Sequence, residues 1–226
     1  MTRKRPPAER GSEKWIQLAV NDFPDVLYDH VARQLHSKPS RITWLSPLRN
    51  DKFREYSDHD FIELLGLQLE NHSLERFWPK GGPNWDGLAK SDISQVFLVE
   101  AKARVGELRE KGSGASDEQS IARIDCSLKE TQRFLGADTT VDWSKYPFYQ
   151  YANRLAHLYL LSEKNSINAY LLMIYFLNDV EVGGPNSVDH WEVAIRTHHE
   201  GMGLRLDHRL SSRVINLYLD VRELGG

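Results

Sequence analysis

The stretch from Ile167 to Leu177 is an almost unbroken apolar run rich in tyrosine, isoleucine and phenylalanine, and it limits the fold more than any other segment. A strand with apolar residues on both faces must be covered on both sides, which is the position of a central strand. Immediately before it, Pro147 to Ser162 reads as a strongly apolar helix, and the two together give the expected core. Further helices are expected over Trp15 to Val20, Pro24 to Leu35, Asp60 to Leu69, Gln119 to Leu135 and Ser187 to His198. Strands are expected over Trp85 to Ala89, Gln95 to Arg104 and Val214 to Val221, the first two joined by the polar turn Lys90 to Ser94. The chain of 226 residues is long enough for one sizeable domain, expected over residues 13–226 with its core at about 60–222.

No apolar run approaches the roughly 18 residues needed to span a bilayer, and the N-terminus lacks a signal-peptide segment, so a soluble cytoplasmic protein without a membrane partner is expected. The single cysteine, Cys126, excludes a disulfide framework within the chain, and its helical surroundings suggest a small buried hydrophobe. A formal net charge of -3 gives no global support for nucleic-acid binding. Residues 1–12, with Arg3, Lys4, Arg5 and Arg10, read as a disordered basic arm able to touch phosphates or simply to be solvated. The segment Val105 to Glu118, rich in charge, glycine and serine, reads as a surface loop.

Chemistry concentrates at one strand end. Side chains alternate along a strand, so Val96, Leu98, Glu100 and Lys102 share one face, while Phe97, Val99, Ala101 and Ala103 share the other. An acid and a base together at the end of an apolar strand need solvent or a purpose. A hairpin centred near Ile93 sets Asp86 across from Glu100, and two such carboxylates repel unless a cation joins them. Mg²⁺ or Mn²⁺ suits that pair, with Asp86 and Glu100 as ligands, the Ala101 carbonyl as a third oxygen, and Lys102 positioned to orient or deprotonate an attacking water.

The sequence Gly82-Pro83-Asn84-Trp85-Asp86, followed by Val96-Phe97-Leu98-Val99 and then Glu100-Ala101-Lys102, resembles the PD-(D/E)xK nuclease superfamily. Trp85 stands where the superfamily's name has proline. The resemblance covers about residues 60–177 and implies an α/β fold: a restriction-endonuclease-like core with a mixed central β-sheet flanked by helices, here with an N-terminal helical extension. It implies a Mg²⁺-dependent nuclease acting on nucleic acid, with DNA the expected partner and a homodimer favoured if cuts are paired. It also implies a helix acid before the hairpin, for which Glu63 is the choice and Glu70 the alternative. Related nucleases carry a glutamine on a helix beside the metal, which points to Gln150.

Gln150, Asn153, Arg154 and His157 fall at i, i+3, i+4 and i+7, a polar stripe on an otherwise apolar helix that must face water or a site. Arg154 suits a bidentate phosphate contact. His198 and His199 lack ligand spacing for zinc. Lys111 to Ser116 lacks the ending of a phosphate-binding loop, and Trp85, Trp143 and Trp191 are assigned to the core. Two further readings remain: a silent nuclease-like fold used for binding or assembly, and a plain structural protein in which Glu100 and Lys102 form a surface pair.

Overall fold

The computed structural model describes residues 6–109 and 112–225. Arg3, Lys4 and Arg5 of the expected basic arm lie outside them. Arg10 is exposed, and the first helix begins at Gly11, inside the span expected to be arm.

Five strands form one mixed sheet in sequential order: β1 (Ile42–Ser46), β2 (Gly87–Ser91), β3 (Val96–Lys102), β4 (Ala169–Leu177) and β5 (Val214–Asp220). β2 runs antiparallel to both β1 and β3, and β3, β4 and β5 run parallel to one another. Parallel neighbours require crossover connections. These are α5 (Glu118–Leu135) with α6 (Tyr149–Tyr159) between β3 and β4, and α7 (Val188–Gly201) between β4 and β5. Local signals place their ends: Asp117 caps α5 by accepting from the Ser120 N–H at 2.8 Å, and Gly136, with φ 72°, closes it.

Two apolar layers follow from strand alternation. Val96 and Leu98 of β3 pack with α6 and α7, while Phe97, Val99, Ala101 and Ala103 pack on the opposite face against α1 (Gly11–Asp22) and α2 (Pro24–Gln34). The N-terminal helices are therefore a covering layer of the sheet and no appendage. Trp15, Ile16, Val20, Leu27 and Val31 bury that second face, which the strands' double-sided apolarity demands. The core accordingly begins near residue 11, well before residue 60.

Three local expectations are corrected. The strand β1 was not legible, because Ile42-Thr-Trp-Leu-Ser is short and lies at the sheet edge. The helix expected over Asp60 to Leu69 is α3 (Asp58–Leu64), stopped before Gly66, whose φ is 61°; a one-turn helix, α4 (Leu74–Phe77), follows it. Cys126 is exposed on α5, its neighbours Ile124, Ser127 and Leu128 taking the buried face. Trp85, Trp143 and Trp191 are all in the core. Among the described residues no helix is long and apolar enough to cross a membrane.

Candidate active site

The hairpin pairs Gly87 with Val99, and one residue further out Asp86 donates its backbone N–H to the Val99 carbonyl at 3.1 Å. The Asp86 carboxylate then accepts the Ala101 N–H at 2.8 Å, so β2 ends by turning an acid onto the edge of β3. Glu100 and Lys102 point together to the α6 side. The Lys102 ammonium donates to Glu100 Oε1 at 2.6 Å and to Gln150 Oε1 at 2.7 Å. Glu100 is 2 % exposed and Lys102 5 %, so this is an interior ion pair at a strand end.

The polar stripe of α6 faces inward onto that pair. Arg154 donates through Nε to Glu100 Oε2 at 2.7 Å, through Nη1 to Asn153 Oδ1 at 2.7 Å, and through Nη2 to the Asn84 carbonyl at 3.0 Å, while its guanidinium lies 4.9 Å from the centre of the Trp85 ring. With Nε, Nη1 and Nη2 all engaged, and only 5 % exposed, Arg154 reaches the site as a clamp on Glu100 and on the segment leading to Asp86. His157 closes the stripe, its Nδ1 2.8 Å from the Asn153 carbonyl and its ring among Phe61, Trp78 and Trp85. Burial lowers its pKa to about 4, so it sits there neutral.

Glu63 is not brought to the centre: it is exposed on α3, and Glu70 is exposed beyond it. The acid that stands near Asp86 is Glu55, 4 % exposed, in the loop before α3. An isolated bridge explains its place. Trp85 donates its N–H to the Tyr56 carbonyl at 3.0 Å, which lays Glu55 and Tyr56 beside the Trp85–Asp86 segment. Nothing in the sequence Lys52-Phe-Arg-Glu-Tyr marks this acid, because it follows two consecutive left-handed residues, Lys52 and Phe53, and belongs to no helix. The role of Asn84 was likewise hidden, since a backbone carbonyl acts only through its placement, whereas Trp85, beside Asp86 in the sequence, does border the site. A second loop holds the entry to Asp86: the Asp58 carboxylate accepts the N–H groups of Gly81 at 3.1 Å and Gly82 at 2.8 Å.

The electrostatics separate the two central acids. Burial acts to raise the Glu100 carboxyl, but Arg154 and Lys102 outweigh it and hold it below the ordinary carboxylate range. Asp86 is pushed well above that range, by burial first and then by the charges of Glu100 and Glu55, with Lys102 and the Ala101 N–H opposing. A carboxyl raised by neighbouring acids takes up a proton or a cation.

That is the observation against which a metal is judged. Asp86 and Glu100 are hard oxygen donors; Glu100 Oε1 meets Lys102 at 2.6 Å, and Oε2 meets both Nε and Nη2 of Arg154 at 2.7 Å. The Ala101 N–H points to Asp86, and in a strand the carbonyl of the same residue leaves on the same side, so this oxygen is the adjoining third donor. Among the described residues no three His, Cys, Asp or Glu side chains gather in a metal-holding group. Mg²⁺ is commonly held by one or two carboxylates with water and substrate phosphate, and the donors present fit that pattern.

No family model, no curated protein and no solved structure matches the chain.

Proposed function

We propose that this chain is a metal-dependent phosphodiesterase, a nuclease of the PD-(D/E)xK kind that hydrolyses DNA, built on a restriction-endonuclease-like core. The observation that carries the reading is the meeting of Asp86, Glu100, Lys102 and Gln150 at the ends of β2 and β3 under α6, from segments far apart in the chain. The antiparallel hairpin followed by two parallel strands supports the same core.

Asp86, Glu100 and the Ala101 carbonyl would hold Mg²⁺ or Mn²⁺, which when bound supplies Lewis-acid stabilisation of phosphate charge and lowers the pKa of water. The chain's own residues do the positioning. Two of the three Lys102 N–H donors are taken by Glu100 and Gln150, which would leave the third for a phosphate oxygen or an attacking water. As the water oxygen bonds to phosphorus and gives up a proton to solvent, the bond to the leaving sugar oxygen breaks and that oxygen takes a proton from solvent, while the ammonium offsets the charge that develops on the phosphate. Asn84 is exposed and Asp86 half-buried, so substrate enters from the hairpin side.

The test is cleavage of a panel of duplex, single-stranded and branched DNA with Mg²⁺ or Mn²⁺. Activity is expected to vanish with a chelator and to fall about a hundredfold or more in Lys102→Ala, the effect of removing roughly 3 kcal/mol of preorganised charge stabilisation. Equal cleavage by the wild type and Lys102→Ala would defeat the reading. A second reading, a silent nuclease-like fold used as a binding or assembly module, draws on the occupancy of both Glu100 oxygens by Lys102 and Arg154. It predicts DNA binding without cleavage on every substrate of the panel.

A further inference from the structure

A second feature lies next to these residues and is not used by the hydrolytic step. Three residues beyond Lys102 and two before Gln150, the chain contributes to a cavity of about 440 Å³ whose walls include Leu108, Arg109, Tyr146, Phe148, Val193 and His198. Three extended residues span at most about 11 Å, so Val105 in the cavity wall lies near the end of β3 that carries Lys102. Its volume falls in the range of about 300–1,000 Å³ usual for small-ligand sites.

The lining is specific in its chemistry. Among the described residues none of those lining the cavity is acidic, and Arg109 is the one with a permanent charge. The Phe148 ring meets the His198 imidazole edge to face, with centroids 5.6 Å apart, so the wall is a built aromatic surface. Tyr146 is 62 % exposed although a tyrosine ring usually buries most of its area, and Val193, also in the lining, is 59 % exposed. Burial and the nearby Arg109 lower the His198 pKa to about 4, which leaves a neutral imidazole able to serve as a polar, uncharged wall. Rings without acids, next to one arginine, match a planar aromatic group attached to an anion.

We propose that this cavity receives an unpaired nucleobase of the substrate strand, stacked on the aromatic wall of Tyr146 and Phe148, with the adjoining phosphate on Arg109. The inference rests on the phosphodiesterase reading and sharpens it: the protein acts where a base is free to leave the stack, in single-stranded, bulged or branched DNA. A fully matched duplex offers the cavity nothing without the added cost of unstacking a base.

The experiment measures binding in a chelator, where no cleavage occurs. Oligonucleotides carrying 2-aminopurine, whose fluorescence falls when it stacks on a ring, are titrated with the wild type, with Tyr146→Ala, and with Ala194→Trp, which fills the cavity from α7. Circular dichroism confirms that each variant is folded, and Tyr146 is exposed enough for its loss to be borne. The wild type is expected to quench the single-stranded and bulged probes but not the matched duplex. Both variants should weaken binding of those probes about 5- to 100-fold, the range expected for losing one stacking ring under a base. Equal affinity and quenching in all three proteins, or no quenching by the wild type, overturns the proposal. A protein that cleaves DNA but binds it independently of the cavity defeats this inference alone. A protein that never cleaves yet shows cavity-dependent quenching defeats the nuclease reading and leaves the cavity's role standing.

Discussion

Two clusters of polar side chains are buried on the same side of the sheet, and they meet burial in opposite ways. Under α6, Glu100 keeps its charge, because Lys102 and Arg154 meet its two oxygens at 2.6–2.7 Å and hold its pKa down. Under α7, His198, His199 and His208 lie together with little to pair with: His199 Nε2 is 3.1 Å from the Tyr151 hydroxyl, while His198 Nε2 and His199 Nδ1 have no partner among the described residues. Desolvation lowers their pKa values to about 4, 3 and 4, so they give up their charge. A buried charge persists only inside a closed network. The α6 network is therefore the place where this fold keeps charge available for chemistry.

The comparison breaks most directly by opening the α6 network. Glu100→Ala leaves Lys102 and Arg154 buried without their anion and is expected to cost about 3–5 kcal/mol in chemical denaturation. His199→Phe, which removes a neutral ring of similar shape, should cost far less. A comparable loss in both would mean that the two clusters are energetically alike.

Acid separates the clusters next. The histidines, with His157, are depressed below 6.5, so their contribution is fully present above pH 6.5 and is lost as pH falls toward 4, because the unfolded chain binds protons first. Glu100, also depressed, keeps its contribution until pH falls below the ordinary carboxylate range. Stability followed from pH 7 to 5 should therefore drop by on the order of a few kcal/mol, and His199→Phe should flatten that slope. A flat wild-type profile over this window would show that the histidines are not held neutral.

The smallest expected effect comes from Asp86. Its carboxyl is raised, so in the metal-free protein stability falls as pH rises from the ordinary aspartate range toward the raised value. Asp86→Asn keeps an acceptor for the Ala101 N–H and should stabilise the metal-free protein by about 1 kcal/mol near pH 8. Mn²⁺ should raise the melting temperature of the wild type and leave that of Asp86→Asn unchanged. Equal Mn²⁺ shifts in the two would remove Asp86 from the metal.

Much of the hairpin was legible. The period of two alone placed Glu100 and Lys102 on one face, and symmetry about Ile93 set Asp86 beside them; the register of β2 on β3 has that centre. The stripe on α6 was legible as a stripe, since apolar residues on every other face left it only water or a site. Its partners were not. Arg154 spaced for a phosphate and Arg154 spaced for Glu100 are the same pattern in one dimension, and the sequence has no measure of which anion the folded chain brings within 2.7 Å.

Local periodicity and covalent geometry are written in the order of the residues: which side chains share a strand face or a helix stripe, where the long helices begin, and that the central strand must be covered on both sides. The tertiary structure alone decided what depends on segments meeting across the chain. It set α1 and α2 over the second face, added β1 at the edge, laid Glu55 beside Asp86 through the Tyr56–Trp85 bridge, and left Glu63 in solvent. The physical reason is range. Alternation and capping act over two to four residues and are written locally, whereas the ionisation of a buried acid depends on charges that only the packed chain brings near it.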